Sequence, residues 1–454
     1  MEGKILSVDV GTTSLKMGIF QLQAESLQLV QEFSQPYIIN VYNSGLFADI
    51  EQEKWKKAFC EGCRHLENHL KEVEVISFSG TTPGLTAMDK EGEALYPAIL
   101  MLDQRSRKQA ADITQAVGLS RMLTETANMP VAGGCSLASI LWIKENLPEV
   151  FQKTACFGHS NTYMVRWLTG RFAIDPSSAS LSGVYNTVKN DLTWNKEIAE
   201  TFGLSLEQFP TLLHSWESVG TVIPSLAKQM GFRKPPEVII GGNDAVLAAY
   251  DAGIQDPGEV MNVNGTCEIT LVCLPKCYPS TEYNIRAHVL PNRWLTLYVM
   301  NAGGKAFEWF HSVFCSEMTL DAFWNSFLPM AVEAWIDRES TVRYVPFLMG
   351  SRYSLEPLRA EFKGMNQETT REELLVALIR GLYEYQRAHL KDIALEVPLK
   401  QPIFVTGGAV KEVLIKAKQR WMRNCSYVYR EQSSLRGAAR LAKQRANPSL
   451  IRGL

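Results

Sequence analysis

The chain has no run of 18 apolar residues, so no segment of it reads as a transmembrane helix. Its start lacks the basic, apolar, small-residue succession of a signal peptide. It also lacks an excess of charge: 46 Lys and Arg stand against 48 Asp and Glu, a net of −2, with no long run of one sign. That excludes nucleic acid or a membrane surface as a partner held through bulk charge. No G-x-x-x-x-G-K-[ST] occurs, so there is no Walker loop. The nine cysteines are scattered without the spacing of a disulfide framework, which predicts reduced thiols and a cytoplasmic protein. Cys60 and Cys63 form a C-x-x-C, but a second pair is missing. Trp55, Phe59 and Leu66 mark that segment as a helix packed on a core rather than a zinc site.

What is present is the composition of a folded protein, 46% hydrophobic and 21% charged. At 454 residues, two large domains are predicted. The most informative segment is DVGTTSLK at 9–16, which follows the apolar run Ile5-Leu6-Ser7-Val8. It predicts a strand, a tight turn and a return strand over Lys16–Phe20. Gly11 lets the backbone turn. Thr12 and Thr13 offer hydroxyls and adjacent N–H groups to an anion, and Lys16 adds a positive charge. Asp9 would repel a phosphate but can hold a hydrated Mg²⁺ that bridges phosphates.

Similar punctuation recurs along the chain. Val75–Ser79 runs into Gly80-Thr81-Thr82-Pro83-Gly84, with a return strand expected over Leu85–Met88. Helices are expected over 52–72, with Asp49 as a candidate cap, and over 137–146. Val238–Ile240 ends in Gly241-Gly242-Asn243-Asp244 and leads into a helix closed by Gly253. At such a helix mouth Asp244 is a candidate general base, its charge stabilised by the helix N-terminus, or else a plain cap. Val260–Asn264, Gly265-Thr266 and Cys267–Val272 repeat the strand–turn–strand theme. Pro402–Thr406 enters Gly407-Gly408-Ala409 and then a helix to about residue 424. Lone His159 and His288 read first as structural residues. Two related α/β domains are predicted, 1–256 and 257–454, divided at Asp256-Pro257-Gly258.

Taken in order, DVGTTSLK at 9–16, GGND at 241–244, NGT at 264–266 and TGGA at 406–409 resemble the FGGY family of carbohydrate kinases, in its xylulokinase-like branch. FSGTTPGLTAMDKEGEALYPAILMLDQRS at 78–106, WLTGRFAIDPSSAS at 167–180, NAGGKAFEWF at 301–310 and SSLRGAARLA at 433–442 agree, so the resemblance covers nearly the whole chain. It implies an α/β fold of two actin-like ATPase (ribonuclease H-like) domains around a central cleft, the first binding sugar and the second nucleotide. It implies ATP and Mg²⁺, a small-molecule sugar, and phosphoryl transfer to a hydroxyl; a homodimer is left open. Asp244 is then the catalytic base and touches the sugar. Asp9, Gly11, Thr12, Thr13 and Lys16 bind ATP, with Asp9 on the metal. Gly265, Thr266, Gly303, Gly304, Gly407, Gly408 and Ala409 bind ATP as well. Thr82, Pro83, Asp103 and Arg105 line the sugar.

The chain departs from the family pattern in a few places. Cys267 replaces a serine, Ala409 a third glycine, Met101 a tryptophan and Asn161 an aspartate. Thr82-Pro83 matches neither the Met-His of xylulokinases nor the Arg-Glu of glycerol kinases. Glycerol thereby loses charged partners, and Gly133 and Gly134 are expected to add room. A pentulose such as xylulose or ribulose is the expected acceptor. Another polyol, a hexulose, an aldonate, or a catalytically weakened sugar sensor are the alternatives. Chaperones of the same superfold also open with D-x-G-T-T, but they lack the Asp103, Arg105 and Asp244 elements.

Overall fold

The computed structural model describes residues 3–23, 26–351 and 358–445. The chain divides into two compact units. The first holds the residues up to Gln255, Lys276–Leu295 and the chain from Gln432 onward; the second holds Asp256–Pro275 and Thr296–Glu431. A single cut after residue 256 does not anticipate the two returns to the first unit. The later one has a clear cause: the helix Ser434–Arg445 buries Leu435, Ala439 and Ala442 against Ile5, Val75 and Ile239. Among the described residues no helix is long and apolar enough to cross a membrane.

The first unit is built on a six-stranded sheet. Its order is Ser218–Thr221, Glu237–Asn243, Val73–Gly80, Lys4–Val10, Ser14–Gln23, Ser26–Pro36. All seven residues of Lys4–Val10 are buried, because the sheet is covered on both faces. Leu6, Val8 and Val10 pack with Trp55 and Phe59 of the helix Glu53–His65. Ile5 packs with Leu435 on the opposite face, where the Ser7 hydroxyl donates to the Leu435 carbonyl at 2.6 Å. Alternation along the strand puts Asp9 on this second face. Lys4–Val10 and Ser14–Gln23 form the antiparallel hairpin that DVGTTSLK predicts, with Asp9 opposite Lys16.

Val73–Gly80 pairs in parallel with Lys4–Val10 on one side and with Glu237–Asn243 on the other. Three neighbouring strands therefore end at one edge of the sheet, which gathers Asp9 at the end of the first, Thr81 just past the second and Asp244 just past the third. The third strand reaches that edge through a bulge. Its pairing is interrupted between Ile239 and Gly242, and Gly241 lies at φ +71°. A Cβ there would sit 1.6 Å from the Phe78 carbonyl oxygen. The bulge shifts the register of Asn243 and Asp244 relative to Gly80.

Two expectations are corrected here. Gly84–Met88 is not the return strand of Val73–Gly80. It lies in a second, five-stranded sheet, paired with Ala98–Leu100 and Cys156–Gly158. All five of its residues are buried, so it needs neighbours and cover that the edge of a hairpin cannot give. Asp49 does not cap the helix predicted over 52–72; that helix is Glu53–His65 with a short second turn at Glu67–Leu70, and Gln52 holds the cap position without a side-chain bond. Asp49 is drawn instead to the guanidinium of Arg105.

In the second unit Val260–Asn264 pairs antiparallel with Glu268–Leu274 and parallel with Ile403–Thr406, which pairs in parallel with Tyr427–Tyr429. The loops Gly265-Thr266 and Gly407-Gly408 leave the same ends of neighbouring parallel strands, the arrangement that binds ligands in open α/β sheets. The helix after TGGA runs over Glu412–Trp421, shorter than the sequence suggests.

The bulge supplies a test. Gly241→Ala must both adopt a positive φ and displace the Phe78 carbonyl, so it should lower stability by about 2–4 kcal/mol in urea unfolding. A loss under about 0.5 kcal/mol would mean that the strand reaches its edge without this glycine.

Candidate functional site

Two carboxylates stand at the strand ends of the first unit, and the charge of one acts on the other. Asp9 is 8% exposed, and its Oδ1 accepts from the Ser79 hydroxyl at 2.6 Å. Burial pushes its carboxyl up to about 6, the negative charge of Asp244 pushes the same way, and bonds from Ser79 and Ser434 oppose both. Asp244 is half-buried and opens the helix Asp244–Asp251. The cap is Asn243, whose Oδ1 accepts from the Val246 N–H at 3.2 Å. Asp244 thus occupies the first helical position rather than the cap, and both of its oxygens are held. Oδ1 accepts from the Ala245 N–H at 2.7 Å and from Asn243 Nδ2 at 2.8 Å, and Oδ2 accepts from the Thr81 hydroxyl at 2.9 Å.

The turn beside Asp9 matches its sequence. The Gly11 N–H donates to the Ser14 carbonyl at 3.0 Å, and a Cβ on Gly11 would lie 2.9 Å from that oxygen. Thr12 is half-buried, while Thr13 and Lys16 are exposed. Tyr37 closes the turn from behind: its hydroxyl donates to the Gly11 carbonyl and its N–H donates to the Thr13 carbonyl at 2.9 Å.

Asp103 and Arg105 are not a surface ion pair. The Arg105 side chain is fully buried. It donates to Asp103 Oδ2 and Asp49 Oδ2, each at 2.8 Å, and to the Tyr96 hydroxyl at 2.9 Å. Its guanidinium lies 4.3 Å from the Phe47 ring centre and 5.1 Å from that of Trp142. Asp103 in turn accepts from the Ala48 N–H at 2.7 Å. The pair orders the 101–105 loop, as a planar fork among rings and carboxylates can. Thr82 and Pro83 are buried too. Gly133 adds no room: at φ +69° it packs onto the same loop, and a Cβ on it would lie 2.3 Å from the Met101 carbonyl oxygen. His288 is structural, its ring nitrogens bonded to the Ile254 carbonyl and the Leu290 N–H. His159 bonds Ser136 through Nε2, and burial followed by the charge of Arg286 pushes it down to about 3, so it is neutral near pH 7.

The second unit gathers the other candidates. The Gly303 N–H donates to the Thr266 carbonyl at 3.0 Å, and the Gly304 N–H donates to the Gly265 carbonyl at 2.8 Å. A Cβ on Gly304 would meet that same oxygen at 2.7 Å, so the glycine pair lets two loops touch. The helix Gly304–Phe314 starts at this contact and turns its N-terminus toward it. Gly407, at φ +101°, is required by the Asn264 carbonyl, 2.2 Å from where its Cβ would be. Gly408 is different: a Cβ there would meet nothing within 4 Å, so its bare face is open to a ligand. The Ala409 N–H donates to the Asn264 carbonyl at 3.3 Å.

The sequence did not single out three residues of these networks. Glu268, just past Thr266, is buried and accepts from Lys418 Nζ at 2.5 Å and from Asn262 at 3.0 Å, which ties the hairpin to the helix Glu412–Trp421. Ser177 accepts from the Asn243 N–H at 2.9 Å and donates to Asp175. Arg286 donates to Thr82. The available signal was a lone charge inside an apolar strand: Glu268 before ITLV, and Arg286 within NIRAHVL.

Comparison with known proteins gives the family and the fold. Residues 4–250 match the FGGY family of carbohydrate kinases, N-terminal domain. The xylulose kinase of Staphylococcus xylosus is 25% identical over 384 residues, covering 83% of this chain and 77% of that protein. The xylulose kinase of Escherichia coli strain K12 is 25% identical over 462 residues, covering 98% and 90%. Among solved structures, xylulose kinase from Rhodospirillum rubrum superposes with a TM-score of 0.89 at 20% identity, over 98% of this chain and 90% of that one. Gluconate kinase from Lactobacillus acidophilus gives 0.85 at 21% identity, over 98% and 89%. Plasmodium falciparum glycerol kinase with ADP gives 0.85 at 19%, over 99% and 92%. The fold is the two-domain α/β fold of actin-like ATPases.

Asp9 gives the site a measurable signature. Its folded value of about 6 lies above the unfolded 3.8, so the folded protein holds this proton more tightly. The stability this contributes is fully present below pH 3.8 and is lost as pH rises through about 6. Asp9→Asn keeps the acceptor for Ser79 and removes the charge. It should be more stable than the parent at pH 7 by on the order of 2–3 kcal/mol, with the gap closing toward pH 4. Urea midpoints across that range are the measurement; a variant less stable than the parent at pH 7 would contradict the raised value.

Proposed function

The chain belongs to the FGGY family of carbohydrate kinases and is a phosphotransferase with an alcohol group as acceptor; from that premise we propose that it moves the γ-phosphoryl group of Mg-ATP to a hydroxyl of a pentulose, xylulose or ribulose. The observation that carries the mechanism is Asp244, half-exposed at the start of a helix, with both oxygens held by the chain around it. A base must be aimed before it is useful, and these bonds aim it. Asp244 takes the proton of the acceptor hydroxyl as that oxygen attacks phosphorus.

Mg-ATP is the second substrate, and its dication supplies neutralising charge when bound. The residues fit such a complex. Asp9 is a desolvated carboxylate beside a second one, a pair that a dication relieves. Among the described residues no three His, Cys, Asp or Glu side chains group to hold a metal, and a Mg²⁺ bound through one carboxylate, phosphates and water needs no such group. Asp9 would face the metal. Gly11, Thr12, Thr13 and Lys16 offer backbone donors, hydroxyls and a cation to phosphate. In the second unit, the Gly265-Thr266 turn offers the Thr266 hydroxyl to phosphate, and the bare face of Gly408 suits the adenosine end.

The pentulose assignment is supported by the likeness to xylulose kinases along nearly the whole chain. It is supported as well by the lack of the charged pair that grips glycerol, since Thr82-Pro83 stand in its place. The room expected from Gly133 no longer contributes. Asp103 and Arg105 act by ordering the loop that carries them.

A coupled ADP-release assay over glycerol, tetritols, pentuloses, hexuloses and aldonates is the test. A pentulose should give the highest kcat/KM. Asp244→Asn should lower kcat on that substrate by about 10² to 10⁴ while leaving nucleotide affinity within a few fold. Glycerol as best substrate would overturn the pentulose assignment, and an Asp244→Asn variant with more than half the parent turnover would move the base elsewhere.

A further inference from the structure

Asp244 is held by Thr81 and Asn243, and Asn243 is held in turn by a residue far along the chain. Arg286 lies in the strand Asn284–Ala287 of the first unit and is 5% exposed. Its Nη1 donates to the Thr82 hydroxyl, and its Nη2 donates to the Thr82 carbonyl at 3.1 Å. One planar fork therefore grips both oxygens of one residue, which a lysine ammonium cannot do with the same geometry. The gripped hydroxyl also accepts from Asn243 Nδ2 at 3.0 Å.

An amide nitrogen has two hydrogens. One Nδ2 hydrogen of Asn243 serves Thr82, and the other serves Asp244 Oδ1 at 2.8 Å. The Gly80 carbonyl, at 3.4 Å, is a weaker competitor. The oxygen end of the same amide caps the helix through Val246, so the group cannot flip without losing the cap. With its oxygen held at the cap, the Asn243 amide is fixed at its nitrogen end by the Thr82 hydroxyl, and with it the donor aimed at Asp244. Thr82 is 2% exposed, and its hydroxyl already receives two donors. It has little acceptor capacity left for a sugar.

We propose that Arg286 is a positioning residue for the base: it fixes the Thr82 hydroxyl, which fixes the Asn243 amide, which orients Asp244. Thr82 then belongs to this relay, the lone pairs of its hydroxyl oxygen committed to Arg286 and Asn243. The proposal rests on Asp244 being the base of the transfer reaction.

The test uses the full-length enzyme with its best pentulose. Misplacement of a catalytic group costs roughly 10- to 100-fold in rate. Arg286→Met and Thr82→Val should each lower kcat by about that factor, with KM for ATP and for sugar within about threefold of the parent. Because both break the same relay, the double variant should be no slower than the slower single one. Thr82→Ser keeps the hydroxyl and should keep kcat, and Arg286→Lys should recover part of the loss. If Arg286→Met does not fold, Thr82→Val against Thr82→Ser decides. Multiplying losses in the double variant, equal kcat for Thr82→Val and Thr82→Ser, or a raised sugar KM at unchanged kcat would each overturn the proposal. Asp244→Asn in the same assay separates the two levels. If it retains turnover, the base assignment has failed; if it collapses while Arg286→Met and Thr82→Val do not, only the relay has.

Discussion

The parallel pairing of Lys4–Val10, Val73–Gly80 and Glu237–Asn243 is the constraint on which the first unit's site depends. Parallel neighbours end at the same edge, so three segments far apart in sequence leave the sheet together. That convergence brings residues 9, 81 and 244 to one place, and the bond from Thr81 to Asp244 secures it. The pairing requires apolar cover on both faces, which the helices Glu53–His65 and Ser434–Arg445 supply. It also requires a bulge, because a regular third strand would place Asn243 and Asp244 in a different register. Gly241 satisfies that requirement at φ +71° against a carbonyl that leaves no room for a side chain.

The same convergence creates an electrostatic cost. Asp9 is buried beside the charge of Asp244, and its carboxyl is raised to about 6 as a result. Natural sites tolerate such strain where a ligand relieves it. Asp9 would hold a dication brought by ATP phosphates, and that positive charge would favour its ionised form. Lys16, opposite Asp9 in the hairpin, is exposed and compensates only partly.

Much of this was legible in the sequence, and the losses have physical causes. DVGTTSLK announced its hairpin because turn residues and apolar alternation are local signals. GGND announced a strand end and a helix start for the same reason. The segment after Gly80 misled, since Gly-Thr-Thr-Pro-Gly also suits a tight turn, and only the complete burial of Gly84–Met88 reveals that the chain enters another sheet. Asp49 looked like a cap because it precedes a helix, whereas its partner Arg105 lies 56 residues away. The roles of Arg286 and Lys418 were hidden for a related reason: their partners Thr82 and Glu268 are 204 and 150 residues distant, and only the folded chain brings them together.

The central claim is that Asp9, desolvated by burial and further raised by the charge of Asp244, is the carboxylate that Mg-ATP would neutralise, and proton release on binding measures this most directly. Calorimetric titration of Mg-ATP near pH 6, in buffers of different ionisation enthalpy, counts the protons exchanged. About half a proton per site should be released beyond that seen with Asp9→Asn, because a group near its own pKa is half protonated before the dication arrives. The excess should vanish at pH 8, where Asp9 is already ionised. Equal proton exchange in the parent and in Asp9→Asn at pH 6 would contradict the claim.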